Sequence, residues 1–476
     1  MWVVFGTITS KCASFGAQLA LGWMLSTEDF GVYAIAIAWS TIVLSIRNGG
    51  TQRALIQQGI KAGDKAGLYF KVALIFNVLG GLTLAAAAPM LARFYEHQVL
   101  QPMIWIIALA LPLNTAALIF QAQMSAALDF AGVTTITAWS ALLRHGSSVV
   151  FALLGYGPLS FVLPLIVIAL YETAAGWART RQWFVSQPLT WTKFRDVFGD
   201  TRWIMLTSLA NVLAINGDYL MISLFQNQTL LGLYFFGFQL SMSLAVLFTN
   251  GVESVMLPTF ARLAEDRERQ RQTFFKSVRA LMLAATLACY GLFLAAGPLV
   301  HCLWAGKWDN AVPVVQILAL SLPIRLMVPL CRTMIEGRGE WRLVSGLLAV
   351  DAIGTLLASS LGAWVGGLTT IACVMSAYNL VFGVFMCGVV ARRIGGRSRE
   401  IFVSVLSTLG CGITALSVAL LVRSLEWPEL SPVWQAMGIL GIYATVYLGL
   451  TRLFMNDHLL EVIHLLRSRV ATSSRI

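Results

Sequence analysis

Long apolar stretches recur along the whole 476-residue chain and decide what it can fold into. A helix needs about 20 apolar residues to cross the hydrocarbon core of a bilayer. We count about fourteen such stretches, with little sequence left over for a soluble domain. Charged residues make up only 12% of the chain, about half the share of a typical soluble protein. The sequence therefore predicts an all-α, polytopic membrane protein of about fourteen transmembrane helices.

The basic residues predict the orientation of these helices. The formal net charge is +11, but the cations are spread over short loops between apolar stretches, which argues against a nucleic-acid-binding protein. With the N-terminus placed in the cytoplasm, most of the 33 lysines and arginines fall on the inner side, and only Arg93, Lys307 and Arg423 fall outside. The positive-inside rule then predicts a multi-pass protein with both termini in the cytoplasm.

The two halves of the chain repeat each other. Gly31-Val32-Tyr33 recurs 201 residues later as Gly232-Leu233-Tyr234. PMIWIIALALP (102–112) recurs 211 residues later as PVVQILALSLP (313–323), with six of eleven positions identical. Each half holds six predicted spans, so both enter the membrane in the same direction, and a substrate path is expected between such parallel repeats. The predicted organisation is an N-terminal six-helix lobe (1–178), a cytoplasmic linker (179–201), a C-terminal six-helix lobe (202–392), and two additional helices with a cytoplasmic tail (393–476).

Several stretches resemble the polysaccharide transporter (Wzx-type) branch of the oligosaccharide flippases. That branch belongs to the superfamily that also holds lipid II flippases and multidrug and toxin exporters (MATE). The resemblance covers roughly residues 15–400 and rests on LSTEDFGVYAIAIA (25–38), GGTQRALIQ (49–57), LLGYGPLSFVLP (153–164), LPTFARLAEDRER (257–269) and AGKWDNAVPVVQILAL (305–320).

The resemblance implies a fold and a function. The fold would be two parallel six-helix lobes around a central cavity, with two extra C-terminal helices. The function would be flipping of an undecaprenyl-diphosphate-linked oligosaccharide across the bacterial inner membrane for surface polysaccharide biosynthesis. Alternating access, coupled to Na⁺ or H⁺ and without an enzymatic step or an organic cofactor, would be the mechanism. The polysaccharide polymerase and the chain-length machinery would be its partners, alongside the bilayer itself.

Cationic side chains are the candidate ligands for a diphosphate headgroup. Lys11, Arg144 and Arg325 lie inside predicted spans, where charged residues are functional candidates by default. Arg325 lies between two prolines that are expected to bend its helix. Arg47 and Arg53 flank a double glycine at the cytoplasmic mouth, and the resemblance implies headgroup binding for Arg47. Each of these cations also fits a structural role, in snorkelling, pairing or topology.

Acidic residues inside spans are the candidates for ion coupling. The resemblance implies a cation site on Asp218 and Asp351, because lipid II flippases build a sodium site from acidic residues on the same two spans. Asn211 lies two helical turns before Asp218 on the same face and is a candidate third ligand. All three residues also fit hydrogen bonding between packed helices. Glu172, near the inner end of its span, is expected at the membrane interface.

Three other functions stay open from the sequence. A multidrug exporter of the same superfamily would favour acidic and aromatic residues for cationic drugs, whereas the cations within spans favour an anionic cargo. A membrane glycan polymerase or ligase would need a long external loop, and every predicted external loop here is short. A structural membrane protein without transport activity would not explain three cations and two aspartates inside spans.

Overall fold

The apolar stretches form α-helices because a bilayer leaves each backbone N–H and C=O to be satisfied within its own segment. The computed structural model describes residues 2–49, 55, 62–181, 190–395, 398–424 and 432–455. Within this part of the chain the helices of the first half are α1 (Trp2–Met24), α2 (Thr27–Gly49), α3 (Ala62–Phe94), α4 (Leu100–Leu113), α5 (Thr115–Ala126), α6 (Phe130–Leu153) and α7 (Pro164–Thr180).

The second half and the C-terminal extension continue in the same way. Their helices are α8 (Trp191–Phe225), α9 (Gln228–Arg262), α10 (Arg267–Trp304), α11 (Val312–Arg325), α12 (Met327–Gly337), α13 (Trp341–Val365), α14 (Leu368–Arg393), α15 (Ser398–Arg423) and α16 (Pro432–Phe454). Two short 3₁₀ helices, Gly157–Phe161 and Asp309–Ala311, precede α7 and α11. No β-strand occurs among the described residues. The predicted all-α, multi-pass membrane fold is confirmed.

The number of transmembrane helices was predicted as fourteen. Eleven helical segments of the described chain are long and apolar enough to span a bilayer, or twelve if α4 and α5 together form one bent span. The count of fourteen therefore stays a prediction.

Two compact units make up the structure, one of Met1–Phe235 with Leu348–Leu356 and one of the remaining residues. In the first unit α1 packs on α6, α2 packs on α8, and α7 packs against α4, α5 and α6. Its buried core includes Tyr69, Val72, Ile119 and Phe120.

The second unit has its own core around α10. Helix α10 packs against α11, α15 and α16, and α14 packs against α11 and α12. Two hydroxyls of α16 fasten it to α10, since Tyr443 donates to the Thr286 carbonyl at 3.0 Å and Tyr447 donates to the Leu283 carbonyl at 3.1 Å. The two helices beyond the sequence repeat are thus bonded to the second half of the chain.

Both halves contain a helix broken near its middle, at equivalent positions of the repeat. Helix α4 ends at Leu113, and Asn114 separates it from α5 with a bend of 44°. Helix α11 ends at Arg325, and Leu326 separates it from α12. Asn114 and Arg325 are 211 residues apart, the offset of the repeated segments. The break beside Arg325 confirms the predicted effect of the proline pair.

Candidate functional site

Arg144 is a cation in the middle of α6, a helix that is not among the eleven candidate spans. It lies on α6 and is exposed, and no carboxylate of the described residues lies within salt-bridge distance of it. Its guanidinium is close enough to the Tyr33 hydroxyl of α2 to interact with it. The Tyr33 ring stacks on Phe161 at 4.1 Å between centroids. A held guanidinium with unused donors can bind phosphate oxygens.

Arg325 occupies the helix break of the second unit. Its guanidinium carbon lies 5.7 Å from the centre of the Phe382 ring, which is within cation–π range, and its side chain is half-buried. It has further partners within the structure. The interrupted helix therefore holds a charged group against an aromatic ring of α14, and headgroup binding by Arg325 stays a prediction.

The remaining predicted cations cannot be placed as side chains. Lys11 lies in α1 and Arg47 in the last turn of α2, and both side chains are outside the described part of the chain. Arg53 lies outside the described residues altogether. Their proposed contacts with a headgroup therefore stay predictions.

Asp218 is a buried carboxylate on α8 with two donors. The Tyr234 hydroxyl of α9 donates to Oδ2 at 2.9 Å, and the backbone N–H of Tyr219 donates to Oδ1 at 2.9 Å. The aromatic rings of Tyr219 and Tyr234 meet edge-to-face beside it. Hydrogen bonds from neutral donors are what allow an ionised carboxylate to be kept in an apolar interior.

Asp351 lies on the segment of α13 that belongs to the same unit and is also buried. The Thr355 hydroxyl donates to the Ala214 carbonyl of α8 at 3.4 Å, and Gly217 packs against Leu356. On each helix, the second of these contacts lies C-terminal to the first.

Asp351 lies one turn before Thr355 on α13, and Asn211 lies one turn before Ala214 on α8. Asp218 lies seven residues beyond Asn211, about 10 Å along α8 at 1.5 Å per residue. Asn211, Asp218 and Asp351 all have partners within the structure. Among the described residues, no group of three or more His, Cys, Asp or Glu side chains is placed to hold a metal ion. The cation site on Asp218 and Asp351, with Asn211 as a third ligand, stays a prediction.

The carboxylate of Glu172 accepts two hydrogen bonds inside the first unit, from Ser140 Oγ at 2.6 Å and from Asn114 Nδ2 at 3.1 Å. The donors come from α6 and from the break between α4 and α5. The expected position of Glu172 at the membrane interface stays a prediction, and the sequence did not predict its two partners. The proline two residues before Asn114 is the one sequence signal that marks this place.

Repeat-related glycines join α2 and α9 at their first turns. A Cβ atom at Gly31 would overlap the Gln228 carbonyl oxygen, and one at Gly232 would overlap the Thr27 carbonyl oxygen. Both glycines and both carbonyl residues are 201 residues apart. The contact is therefore symmetric under the repeat, and only glycine permits so close an approach of the two backbones.

The fold is shared with a solved membrane protein. It is similar to the lipid II flippase MurJ in its inward closed conformation, with a TM-score of 0.76 at 12% identity, covering 96% of this chain and 99% of that one. The similarity at this identity concerns the fold alone. The chain is thus a multi-pass membrane protein with the lipid II flippase fold.

The chain belongs to the polysaccharide biosynthesis protein family, whose model matches residues 20–313. It is 25% identical over 388 residues to the succinoglycan biosynthesis transport protein ExoT of Rhizobium meliloti (strain 1021), covering 79% of this chain and 77% of the relative. It is 22% identical over 429 residues to the teichuronic acid biosynthesis protein TuaB of Bacillus subtilis (strain 168), covering 88% of each chain. The predicted family is confirmed.

Proposed function

We propose that the protein is a flippase that moves an undecaprenyl-diphosphate-linked oligosaccharide across the inner membrane by alternating access. The observation that carries the proposal is Arg144, an exposed guanidinium in the middle of α6 with no carboxylate within salt-bridge distance among the described residues. An anionic cargo would supply the opposite charge. Membership of the polysaccharide biosynthesis family supports a glycan as the rest of that cargo.

The headgroup is held by cations that do not react with it. Guanidinium groups suit phosphate oxygens because they offer several donors in one plane, so Arg144 in the first unit and Arg325 in the second are each a candidate ligand of the diphosphate, whose lipid tail stays in the bilayer. Lys11, Arg47 and Arg53 add positive charge along the same route. No covalent bond of the cargo changes, and the protein lowers the barrier by replacing the water of the headgroup with fixed donors.

Ion binding in the region of Asn211, Asp218 and Asp351 drives the cycle. Oxygen ligands of this kind suit Na⁺, and the carboxylates also suit H⁺. An ion shifts the balance between inward- and outward-open states only by the difference in its affinity for the two.

The test is rescue of surface polysaccharide in a deletion strain. Arg144→Ala and Arg325→Ala should each lower the surface glycan about 10-fold or more, since a lost charge-assisted hydrogen bond costs about 1.5–3 kcal/mol, and Arg144→Lys should restore part of it. Arg93→Ala, at an exposed position in the last turn of α3, is the matched control and should rescue fully. Full rescue by Arg144→Ala together with Arg325→Ala would contradict the proposal. Export of a cationic dye that depends on the protein would favour the multidrug alternative instead.

A further inference from the structure

An open pocket lies where four helix ends of the first unit meet. Its walls come from the first turn of α2, the end of α3 with the turn that follows it, the end of α8 and the start of α9. The pocket has a volume of about 410 Å³, which is within the range of ~300–1,000 Å³ found for small-ligand sites. The orientation predicted from the basic residues places these helix ends outside, on the side to which the proposed flippase delivers its cargo.

The turn after α3 forms a fixed wall of this pocket. The buried Tyr95 hydroxyl accepts a hydrogen bond from Trp39 Nε1 at 3.1 Å and is hydrogen-bonded to the Ser223 hydroxyl at 2.9 Å. The Tyr95 carbonyl accepts a hydrogen bond from Gln228 Nε2 at 2.7 Å. The next residue, Glu96, has a φ of 53°, in the left-handed region that favours glycine. Backbone strain of this kind is typical of binding sites, and here it is borne by a residue that brings a carboxylate to the pocket.

The charged groups of the pocket are acidic. Glu28 and Glu96 are both exposed, and among the described residues no lysine or arginine lies within salt-bridge distance of either. His97 Nε2 lies 3.4 Å from Glu28 Oε1, and the buried Nδ1 atom of His97 has no hydrogen-bond partner among the described residues. These three side chains are not placed to hold a metal ion together. The pocket therefore offers hydrogen-bond acceptors and repels phosphate groups.

Two exposed phenylalanine rings border the same acidic pocket. Phe94, at the end of α3, is 61% exposed, and Phe225, at the end of α8, is 49% exposed. A purely apolar ligand would leave the two carboxylates without donors, and an anion would be repelled by them. A sugar uses both kinds of group, because its hydroxyls donate to carboxylates while the C–H face of its ring packs on an aromatic ring.

We propose that this pocket is a glycan-binding site that takes sugar units of the cargo at the outer end of the first unit. Glu28 and Glu96 accept hydrogen bonds from the sugar hydroxyls, and Phe94 and Phe225 pack on the sugar rings. The inference rests on the proposed function, since it takes the ligand to be the glycan part of the cargo. It adds a site for that part, separate from the cations that are candidate ligands of the diphosphate.

The experiment is saturation-transfer NMR on the purified full-length protein in lipid nanodiscs. The probe is an oligosaccharide prepared by partial hydrolysis of the organism's extracellular polysaccharide, which carries neither lipid nor diphosphate. The wild-type protein should bind it, Glu28→Gln should weaken the affinity about 10-fold through the lost charge-assisted hydrogen bond, and Phe225→Ala should weaken it about 5-fold. Absence of binding to the wild type, or an unchanged affinity in both variants, would overturn the proposal.

Matched controls lie outside the pocket. Glu265→Gln changes another exposed carboxylate, and Phe130→Ala removes another exposed ring of the first unit. Both variants should keep the wild-type affinity for the oligosaccharide. A loss of affinity in these controls equal to that in Glu28→Gln and Phe225→Ala would show that the probe binds elsewhere, and it would overturn the proposal.

Glu96→Gly separates binding from folding. Glycine relieves the positive φ, so the midpoint of thermal unfolding should stay or rise, while the affinity for the oligosaccharide should fall about 10-fold. A lower midpoint with an unchanged affinity would assign Glu96 a structural role and overturn the proposal.

Inorganic diphosphate is the competitor that distinguishes the two parts of the cargo. It should not displace the oligosaccharide, because the pocket is acidic. Displacement would assign the pocket to the headgroup and overturn the proposal. The probe has no diphosphate, so absent binding leaves the flippase proposal standing, and full rescue by the Arg144→Ala and Arg325→Ala variants contradicts the flippase proposal without changing the binding result.

Discussion

Equivalent tyrosines of the two halves interact with side chains of opposite charge. Tyr33 lies beside the Arg144 guanidinium, whereas Tyr234, 201 residues later, donates its hydroxyl hydrogen to the Asp218 carboxylate. A phenol group can do both because its oxygen accepts a hydrogen bond and its hydrogen donates one. The repeat thus preserved the side chain while the charge that it holds changed from a cation in one half to an anion in the other.

The Tyr234 hydroxyl should be a large contributor to stability. Tyr234→Phe leaves the buried Asp218 carboxylate with one donor fewer, and an unsatisfied buried polar group costs about 1–3 kcal/mol, more if charged. We expect a clear fall in the midpoint of thermal unfolding in nanodiscs. Tyr156→Phe, at an exposed tyrosine, is the control and should change it little. Equal midpoints for both variants would show that the bond to Asp218 contributes nothing.

The exposed Asp129–Arg179 pair makes a pH-dependent contribution to the free energy of unfolding. Arg179 hydrogen bonds, together with the Gly132 N–H at the start of α6, lower the pKa of Asp129 below its ordinary 3.8. A lowered pKa means that this stability is complete above pH 3.8 and is lost as the pH falls through the folded-state value. Asp129→Ala should cost about 1 kcal/mol at neutral pH, mostly from the lost helix cap because the exposed ion pair contributes little. The midpoints of thermal unfolding of the wild type and the variant should approach each other as the pH is lowered. A difference that stays constant with pH would contradict this role of the Asp129 carboxylate.

At the scale of helices, the first repeat motif turns out to be a crossing point. Gly31 and Gly232 bring the first turns of α2 and α9 into backbone contact. The two copies of the repeated motif therefore form one helix–helix contact. The second repeat motif forms the two helix breaks. The breaks come two residues after Pro112 and three residues after Pro323, so each half has a proline in the last turn before its break.

A methyl group at Gly31 should push α2 and α9 apart where they cross. Gly31→Ala places a Cβ against the Gln228 carbonyl, which belongs to the backbone and cannot rotate away, and overpacking of this kind costs about 1–3 kcal/mol. Distances between spin labels on α2 and α9 should lengthen. Gly146→Ala, in a helix with no atom within 4 Å of the new Cβ, is the matched control and should stabilise the protein slightly. An unchanged distance in Gly31→Ala would contradict the close crossing.

At the scale of the whole molecule, the orientation in the membrane follows from the charge distribution and awaits a direct test. Cys302 lies exposed near the end of α10, next to a turn predicted to face outside. A membrane-impermeant maleimide should therefore label it in spheroplasts, and Cys302→Ala should abolish that labelling, because Cys373 is the one other exposed cysteine described and lies within a span.

The opposite end of the same helix is the internal control. Arg267→Cys in the Cys302→Ala background should be labelled only after the membrane is permeabilised, since α10 is long enough to cross the bilayer between the two positions. Labelling of Arg267→Cys in closed spheroplasts would reverse the predicted orientation.

The class of fold, the family and the two repeat motifs could be predicted from the sequence. The reason is that the bilayer requires every span to be a long apolar helix, and each span meets this requirement with its own consecutive residues. The break beside Arg325 was predictable for a similar reason, since the two prolines act on their own helix.

Only the tertiary structure decided which polar groups meet. Glu172 is 32 residues from Ser140 and 58 from Asn114, and nothing in the sequence of its own helix indicates that it bonds to either of them. The hydrogen bond from Thr355 to the Ala214 carbonyl likewise depends on how α8 and α13 are aligned along their axes, which the hydrophobic pattern of the two helices does not fix. Partners of buried charges are set by helix register and packing, and these exist only once the helices have assembled.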